Sequence, residues 1–388
     1  MKKENVGKNR FEHLLAYDHS RVRLRERAEM GESDYINANF ISGYMKQGAY
    51  IAAQSPFDDE SIYDFWYMIY TEEITHFLFI ANLTEGGVMK SVPYWPETGS
   101  MVNQNICVRS VDVTSYANFV IREFDVLLEG RDIRRCKQYH FTSWPEHGIP
   151  QDPIPFLDFR RKVNIDYLKD AASAPLLVHC GTGVSRTAVY IAVDSLMEQA
   201  RLEHAVNVFK FCRTMRNERV NMVRTVKQYI FIYNALFEGL ITTYNIIKQD
   251  LKITYRQLSN KNPINDKQYF REQFEILEDY LPDLDPEKYS VALKASNASK
   301  NRFISVVPPD EHRVILSSLG AVQRNDYINA VYIDSYMTPR AYILAQTPLN
   351  NTVADFWKMV YENKVNDVTS LIPTLFIFEL SYTFYERI

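Results

Sequence analysis

The sequence predicts an α/β fold, a twisted mixed sheet flanked by helices on both faces. Three observations carry that reading. Ala174 to Val178 is a short apolar run, read as a buried strand, that leads through a glycine-bearing turn into an apolar helix from Thr187 to Ala200. Tyr50 to Met68 reads as a strand, a loop and a helix with an aromatic buried face. His76 to Asn82, Val111 to Arg122 and Lys137 to Phe141 read as further strands. A candidate site falls at the C-terminal end of the 174–178 strand.

Taken in order, residues 8 to 44 hold Lys8-Asn9-Arg10-Phe11, Asp18-His19-Ser20-Arg21-Val22 and Asp34-Tyr35-Ile36-Asn37-Ala38. The first and last of these are turn-and-strand segments with polar side chains suited to local backbone bonds. Lys90 reads as a solvated surface charge, and Tyr94-Trp95-Pro96 follows it. Thr142 to Pro150 sets two prolines and a glycine around Trp144 and Glu146, the composition of a loop that moves as a unit. Val206 to Arg219 reads as an amphipathic helix, and Asn221 to Phe231 opens a last helix reaching about Gly239.

A chain of 388 residues exceeds one typical core and points to two domains. Residues 1–240 form the first and 241–264 read as a linker with partial helix, polar in its second half. The pattern then returns. Lys300-Asn301-Arg302-Phe303, Asp326 to Ala330 and Ala345 to Pro348 repeat Lys8 to Phe11, Asp34 to Ala38 and Ala53 to Pro56 at one offset of 292 (300 less 8, 326 less 34, 345 less 53). Asp355-Phe356-Trp357 repeats Asp64-Phe65-Trp66 at 291, one residue having been lost. Four registered matches mark a second copy of one unit, over 265–388. The parallel fades after Asp367, no second His-Cys follows, and Leu371 to Ile388 is apolar and aromatic. The expectation is a truncated second unit, with residues 300–388 poorly stable, inert, or docked on the first unit.

Apolar residues make up 46 % and charged residues 24 % of the chain, ordinary values for a soluble globular protein. A formal charge of −4 gives no reason to expect nucleic-acid binding. Four cysteines, at 107, 136, 180 and 212, form neither a zinc pattern nor a disulfide framework, which fits a reducing cytoplasmic setting. The polar start Met1-Lys2-Lys3-Glu4-Asn5 lacks the apolar core of a signal peptide, and no run of eighteen apolar residues predicts a membrane span. The eight histidines form no ligand cluster, so neither a metal nor a cofactor is expected.

The chemistry converges on Val178-His179-Cys180-Gly181-Thr182-Gly183-Val184-Ser185-Arg186-Thr187. Most cysteines in intracellular proteins are buried hydrophobes, and a Cys–Arg spacing by itself is weak. Here the thiol lies between a strand end and a helix start. The first helical amides lack intrahelical partners and carry the positive end of the dipole. A glycine-bearing turn points successive amides inward as an anion nest. Five residues separate Cys180 from Arg186, enough for Arg186 to reach back over the rim with a fork matched to two phosphate oxygens. The same groups lower the thiol pKa below its free value of about 8.5. A thiolate at the bottom of a phosphate cradle is a nucleophile aimed at phosphorus.

His179-Cys180 with Gly183 and Arg186-Thr187 resembles the signature of the cysteine-dependent protein tyrosine phosphatases, and matches extend over nearly all of residues 1–240. The tandem arrangement resembles the cytoplasmic half of receptor-type members, in which a membrane anchor belongs to a longer parent chain. The resemblance implies catalytic roles for Cys180, Arg186, Glu146 and Thr187. It implies substrate contacts from Gly181, Thr182, Gly183, Val184, Ser185 and Arg186, and from Phe11, Gln228 and Glu146. Its partners are phosphotyrosine-containing proteins. Arg219 matches an arginine that supports the phosphate loop, and Lys90 one that contacts the acid loop. His179 fixes the cysteine backbone.

Several positions depart from the family pattern. Glu146 stands where active members carry Asp after Trp-Pro, and Phe11 where Tyr is usual. Arg224 replaces a Gln that positions the hydrolytic water, and Asn221 a Gly that keeps the pocket mouth open. Gly181-Thr182 replaces Ser-Ala, and Ser185 and Ala188 replace glycines. Two functions follow: a phosphotyrosine hydrolase of reduced turnover, or a phosphotyrosine-binding module with little turnover. A phosphoinositide or RNA phosphatase lacks the extra basic residues such substrates favour in the loop.

Overall fold

A computed structural model describes residues 2–29, 31–170, 173–241, 275, 285–317 and 325–371. The chain divides into two compact units, 1–248 and 249–388. The expected linker after Ile241 and the apolar tail after Leu371 lie outside the described residues.

The first unit is built on a nine-stranded sheet: β1 (Arg21–Arg23), β2 (Tyr35–Ile41), β3 (Tyr50–Gln54), β4 (His76–Phe79), β7 (Ser100–Asn103), β8 (Ile106–Ser115), β9 (Phe119–Leu128), β10 (Arg134–Phe141) and β11 (Leu176–Cys180). Their spatial order is β1-β2-β3-β11-β4-β10-β9-β8-β7. A small hairpin, β5 (Thr84–Glu85) with β6 (Val88–Met89), stands apart. The four central strands β3, β11, β4 and β10 run parallel, and the flanking pairs are antiparallel. Parallel strands bring their C-terminal ends to one edge, so the segments after Gln54, Phe79, Phe141 and Cys180 emerge together. Open sheets bind ligands at that edge.

Side-chain alternation assigns the two faces. Phe77, Phe79 and Leu177 face one core with Phe65, Trp66 and Tyr67 of α2 (Asp59–Thr71). Leu78, Ile80 and Val178 face the other, with α3 (Ile154–Lys169), α4 (Arg186–Glu203), α5 (Val208–Glu218) and α6 (Val226–Ile241). A short helix, α1 (Arg25–Glu29), follows β1. The start of α2 is fixed by a capping box: Asp58 accepts from the Ser61 amide at 2.8 Å, and Ser61 Oγ accepts from the Asp58 amide at 2.9 Å. The opening of α4 is buried all round, from Thr187 to Val193, which makes it the central helix of its layer. Each fully buried Ile or Val there contributes roughly 1.5–3 kcal/mol.

One sequence expectation is corrected, and one helix falls where the sequence reading assigned no element. The strand expected over Val111 to Arg122 is two strands, because Tyr116 turns the chain and its amide bonds Phe119 O at 2.8 Å. Helix α3 was not anticipated; it buries only Phe156, Leu157, Phe159 and Val163, a narrow stripe on an otherwise charged segment.

The second unit repeats the beginning of the first. Strands β12 (Arg313–Ile315), β13 (Tyr327–Ile333) and β14 (Tyr342–Ala345) precede a helix, α7 (Val353–Glu362). Arg313 pairs with Val331 and Ile315 with Tyr327, as Arg21 pairs with Asn39 and Arg23 with Tyr35, down to the same register shift. The polar bonds recur too. Tyr327 OH donates to Asn301 Oδ1 at 2.6 Å, as Tyr35 OH does to Asn9 Oδ1 at 2.6 Å. Gln346 Nε2 donates to Lys300 O at 2.7 Å, as Gln54 Nε2 does to Lys8 O at 2.8 Å. Lys300 pairs with Asp355 at 2.9 Å, as Lys8 pairs with Asp64 at 2.7 Å.

Candidate active site

Cys180 is the last residue of β11 and is buried. The strand continues into the turn because Ser55 N–H bonds Cys180 O at 3.1 Å and Ile80 N–H bonds His179 O at 3.0 Å, one donor from the end of each neighbouring strand. His179 Nδ1 bonds Ser55 Oγ at 2.9 Å and Nε2 bonds Tyr94 OH at 2.7 Å. Its ring stacks on Phe79 at 4.8 Å. Burial holds its pKa well below the ordinary value, so it stays neutral. The imidazole is a strut between two strands and the loop that carries Tyr94.

At Gly183 the backbone takes φ +68°, and a Cβ there would stand 2.2 Å from Ala53 O. No other residue fits. Arg219, fully buried, donates from Nε to Gly183 O at 2.9 Å and from Nη2 to Thr182 O at 3.4 Å. Its remaining donors reach Asn39 Oδ1 at 2.6 Å and Asn37 Oδ1 at 2.9 Å. Burial lowers its pKa to about 10, so it is charged at neutral pH.

Burial pushes the Cys180 thiol pKa up, but opposing contributions outweigh it and the net shift is downward. They come from the Thr187 hydroxyl, the Thr187 amide, the Arg186 charge and the Gly183 amide. Thr187 Oγ1 donates to Cys180 Sγ at 3.2 Å. Cys212, by contrast, is pushed up to about 11 by burial, and Cys136 is pushed up further for the same reason. One thiol of the buried three is made acidic.

Arg186 opens α4 and does not project free over the rim. Its two terminal nitrogens meet Glu85 Oε1 at 2.5 Å and Oε2 at 2.7 Å, a bidentate pair with a nearly fully buried carboxylate. Nη2 also donates to Pro145 O at 3.2 Å, and the guanidinium carbon lies 5.5 Å from the Trp144 ring centre. The 142–150 loop is thereby fastened at Arg186, with Trp144 buried against Phe156 and Phe231. Glu146 is exposed on that loop, and its Oε2 lies 3.4 Å from where a Cβ on Gly86 would stand. The sequence-predicted acid therefore meets the turn of the β5–β6 hairpin.

Phe11 is more than a third exposed, so it is not a core ring. Arg10 beside it donates to Lys90 O and Met89 O, tying the Lys8–Phe11 segment to the hairpin. Lys90 is half-buried, and its carbonyl lies 3.4 Å from where a Cβ on Gly181 would stand. Val184 is buried, leaving only its backbone for a ligand. Thr182 and Ser185 stand half-buried on the loop. Gln228 is buried and its Oε1 accepts from the Arg224 amide at 3.0 Å, while Arg224 and Asn221 are exposed. Sequence reasoning missed Glu85. Its only signal is a carboxylate before Gly86-Gly87, which no spacing ties to Arg186 101 residues away.

Sequence comparison identifies the family. The sequence model of the family described as "Protein-tyrosine phosphatase" matches residues 5–238 and 297–374. The chain belongs to the protein-tyrosine phosphatase family. It is 36 % identical over 385 residues to receptor-type tyrosine-protein phosphatase U of Gallus gallus, covering 96 % of this chain and 26 % of that protein. It is 35 % identical over 376 residues to receptor-type tyrosine-protein phosphatase alpha of Homo sapiens, covering 95 % and 46 %. It is 35 % identical over 369 residues to tyrosine-protein phosphatase Lar of Drosophila melanogaster, covering 95 % and 18 %. The chain thus spans less than half the length of each of these relatives. Among the described residues no helix is long and apolar enough to cross a membrane.

Proposed function

We propose that the chain hydrolyses phosphotyrosine on proteins through a phosphocysteine intermediate, at reduced turnover. The observation that carries this is the acidified Cys180 thiol, reached by the Thr187 hydroxyl at 3.2 Å, with Arg186 fastened beside it. The Cys180 thiolate attacks phosphorus and the bond to the tyrosine oxygen breaks. Glu146 gives that oxygen its proton, because a free phenolate, with a conjugate acid pKa of about 10, is a poor leaving group. Loop amides from Gly181 to Arg186 hold the three phosphoryl oxygens, and Arg186, whose terminal nitrogens are paired with Glu85, adds its positive charge and its remaining N–H donors. Water then attacks phosphocysteine and returns its proton to Glu146, and Thr187 donates to the departing thiolate. Phe11 offers an exposed ring face for the substrate phenyl.

Two residues favour the slow rate. Glu146 carries its proton one methylene further than the usual Asp. Arg224 offers donors but no acceptor to a hydrolytic water. The same residues support a second reading, a phosphotyrosine-binding module with little turnover. Residues 265–388 are proposed as a second phosphatase-like copy without a signature loop, supported by the repeated register and polar bonds. The receptor-type names of the relatives support a place on the cytoplasmic side, as the intracellular part of a longer chain.

The test is a steady-state assay on a phosphotyrosine peptide with the intact chain and with Cys180→Ser. Turnover by the intact chain, abolished in the variant while peptide binding persists, is the expected outcome. Equal binding with no turnover by either protein selects the binding module.

A further inference from the structure

The amides of the cradle are aimed by holding carbonyls. In a trans peptide the C=O and the following N–H point in opposite directions, so a donor that holds one carbonyl outside the loop turns the next amide inward. Ser55 N–H holds Cys180 O at 3.1 Å, and Arg219 holds Thr182 O at 3.4 Å and Gly183 O at 2.9 Å. Those holds come from a strand end and from a fully buried side chain. The last one differs: Val223 N–H holds Val184 O at 3.1 Å, and that peptide carries the Ser185 amide.

Val223 sits at φ +59° and Asn221 at φ +55°. Asn tolerates the left-handed region, but a β-branched residue there is strained and persists only where its surroundings enforce it. The enforcement comes from the end of α5. Arg216 Nε donates to Met222 O at 2.8 Å and Nη2 donates to Val223 O at 2.7 Å. One helix end therefore carries two arginines spent on backbone carbonyls, Arg219 on the phosphate loop and Arg216 on the loop that leans against it.

We propose that Arg216 is a positioning residue: by clamping the carbonyls of Met222 and Val223, it holds Val223 in its left-handed turn and aims the Ser185 amide into the phosphate cradle. The proposal deepens the hydrolase reading and rests on the 180–186 loop being an oxyanion cradle.

The test measures protection of Cys180 from iodoacetamide by inorganic phosphate, across pH, in the full chain. It is repeated with Arg216→Ala, with Arg216→Lys, and with Arg213→Ala, an exposed arginine on the same helix. Loss of one aimed donor to an anion predicts about tenfold more phosphate for equal protection in Arg216→Ala, and an alkylation midpoint at higher pH. Arg216→Lys, which keeps a donor, falls between, and Arg213→Ala matches the parent. Melting curves identify any variant that fails to fold; Arg216→Lys then carries the comparison. Parental protection and an unmoved midpoint in both Arg216 variants overturn the proposal. A parent chain that phosphate never protects sinks the cradle reading itself, and the role of Arg216 with it.

Discussion

Of the departures from the resembled family pattern, the extra methylene of Glu146 and the guanidinium of Arg224 are the two that bear on the rate. Glu146 sits on a flap held by Arg186 through Pro145 O at 3.2 Å, so the loop sets where its backbone lies and side-chain length sets where the proton goes. Misplacement by about a bond length costs up to about a hundredfold. Glu146→Asp is therefore expected to raise kcat several-fold, and Arg224→Gln to speed phosphocysteine hydrolysis; single-turnover and steady-state rates on one phosphopeptide separate the two steps. Unchanged rates for both variants contradict this account of slow turnover. At this scale the sequence was informative where residues are neighbours in it. Cys180, Arg186 and Thr187 could be read from one short run. Glu85 and Arg216 could not, because each acts on a group fixed by tertiary contact. The Arg186–Glu85 pair fixes Arg186 against a buried carboxylate.

The strand–loop–helix element from Leu176 to Glu203 is where local sequence and tertiary structure agree most closely. Its strand pairs with β3 and β4 on either side, its glycine passes Ala53, and its helix is buried at once. Gly183 is the tightest point. Gly183→Ala asks an L-residue to hold φ +68° with a Cβ 2.2 Å from a backbone oxygen. The cost exceeds the roughly 1–3 kcal/mol of left-handed strain, because the clash is with a central strand and not with a flexible side chain. Loss of turnover together with a lower Tm by calorimetry is the expected result. The less legible elements were those with weak periodicity. Helix α3 hides a four-residue apolar stripe among charges, and the β8–β9 turn lies inside one continuous β-prone run.

Across the whole molecule, the parallel centre of the first sheet gathers four loops at one edge: Ser55 after β3, Glu85 after β4, the Trp144 flap after β10 and the phosphate loop after β11. The α/β class and the repeat were legible because alternation and registered self-similarity are whole-chain signals. The strand order was not, since β11 inserts between β3 and β4 from more than ninety residues downstream. The second unit repeats the first strand pairs and their polar ties, and the chemistry proposed for the first unit rests on Cys180. That cysteine is separable from its neighbours, because burial raises the pKa of Cys136 and Cys212 while the loop lowers that of Cys180. Because the folded pKa of Cys180 is depressed, the thiolate persists below the usual range and is lost only as pH falls through that lowered value. The most direct measurement is the pH dependence of Cys180 alkylation in the intact chain, read by mass spectrometry at that residue. The structure predicts a midpoint below the free-thiol value of about 8.5. A midpoint at or above that value contradicts the assignment of Cys180 as an activated nucleophile.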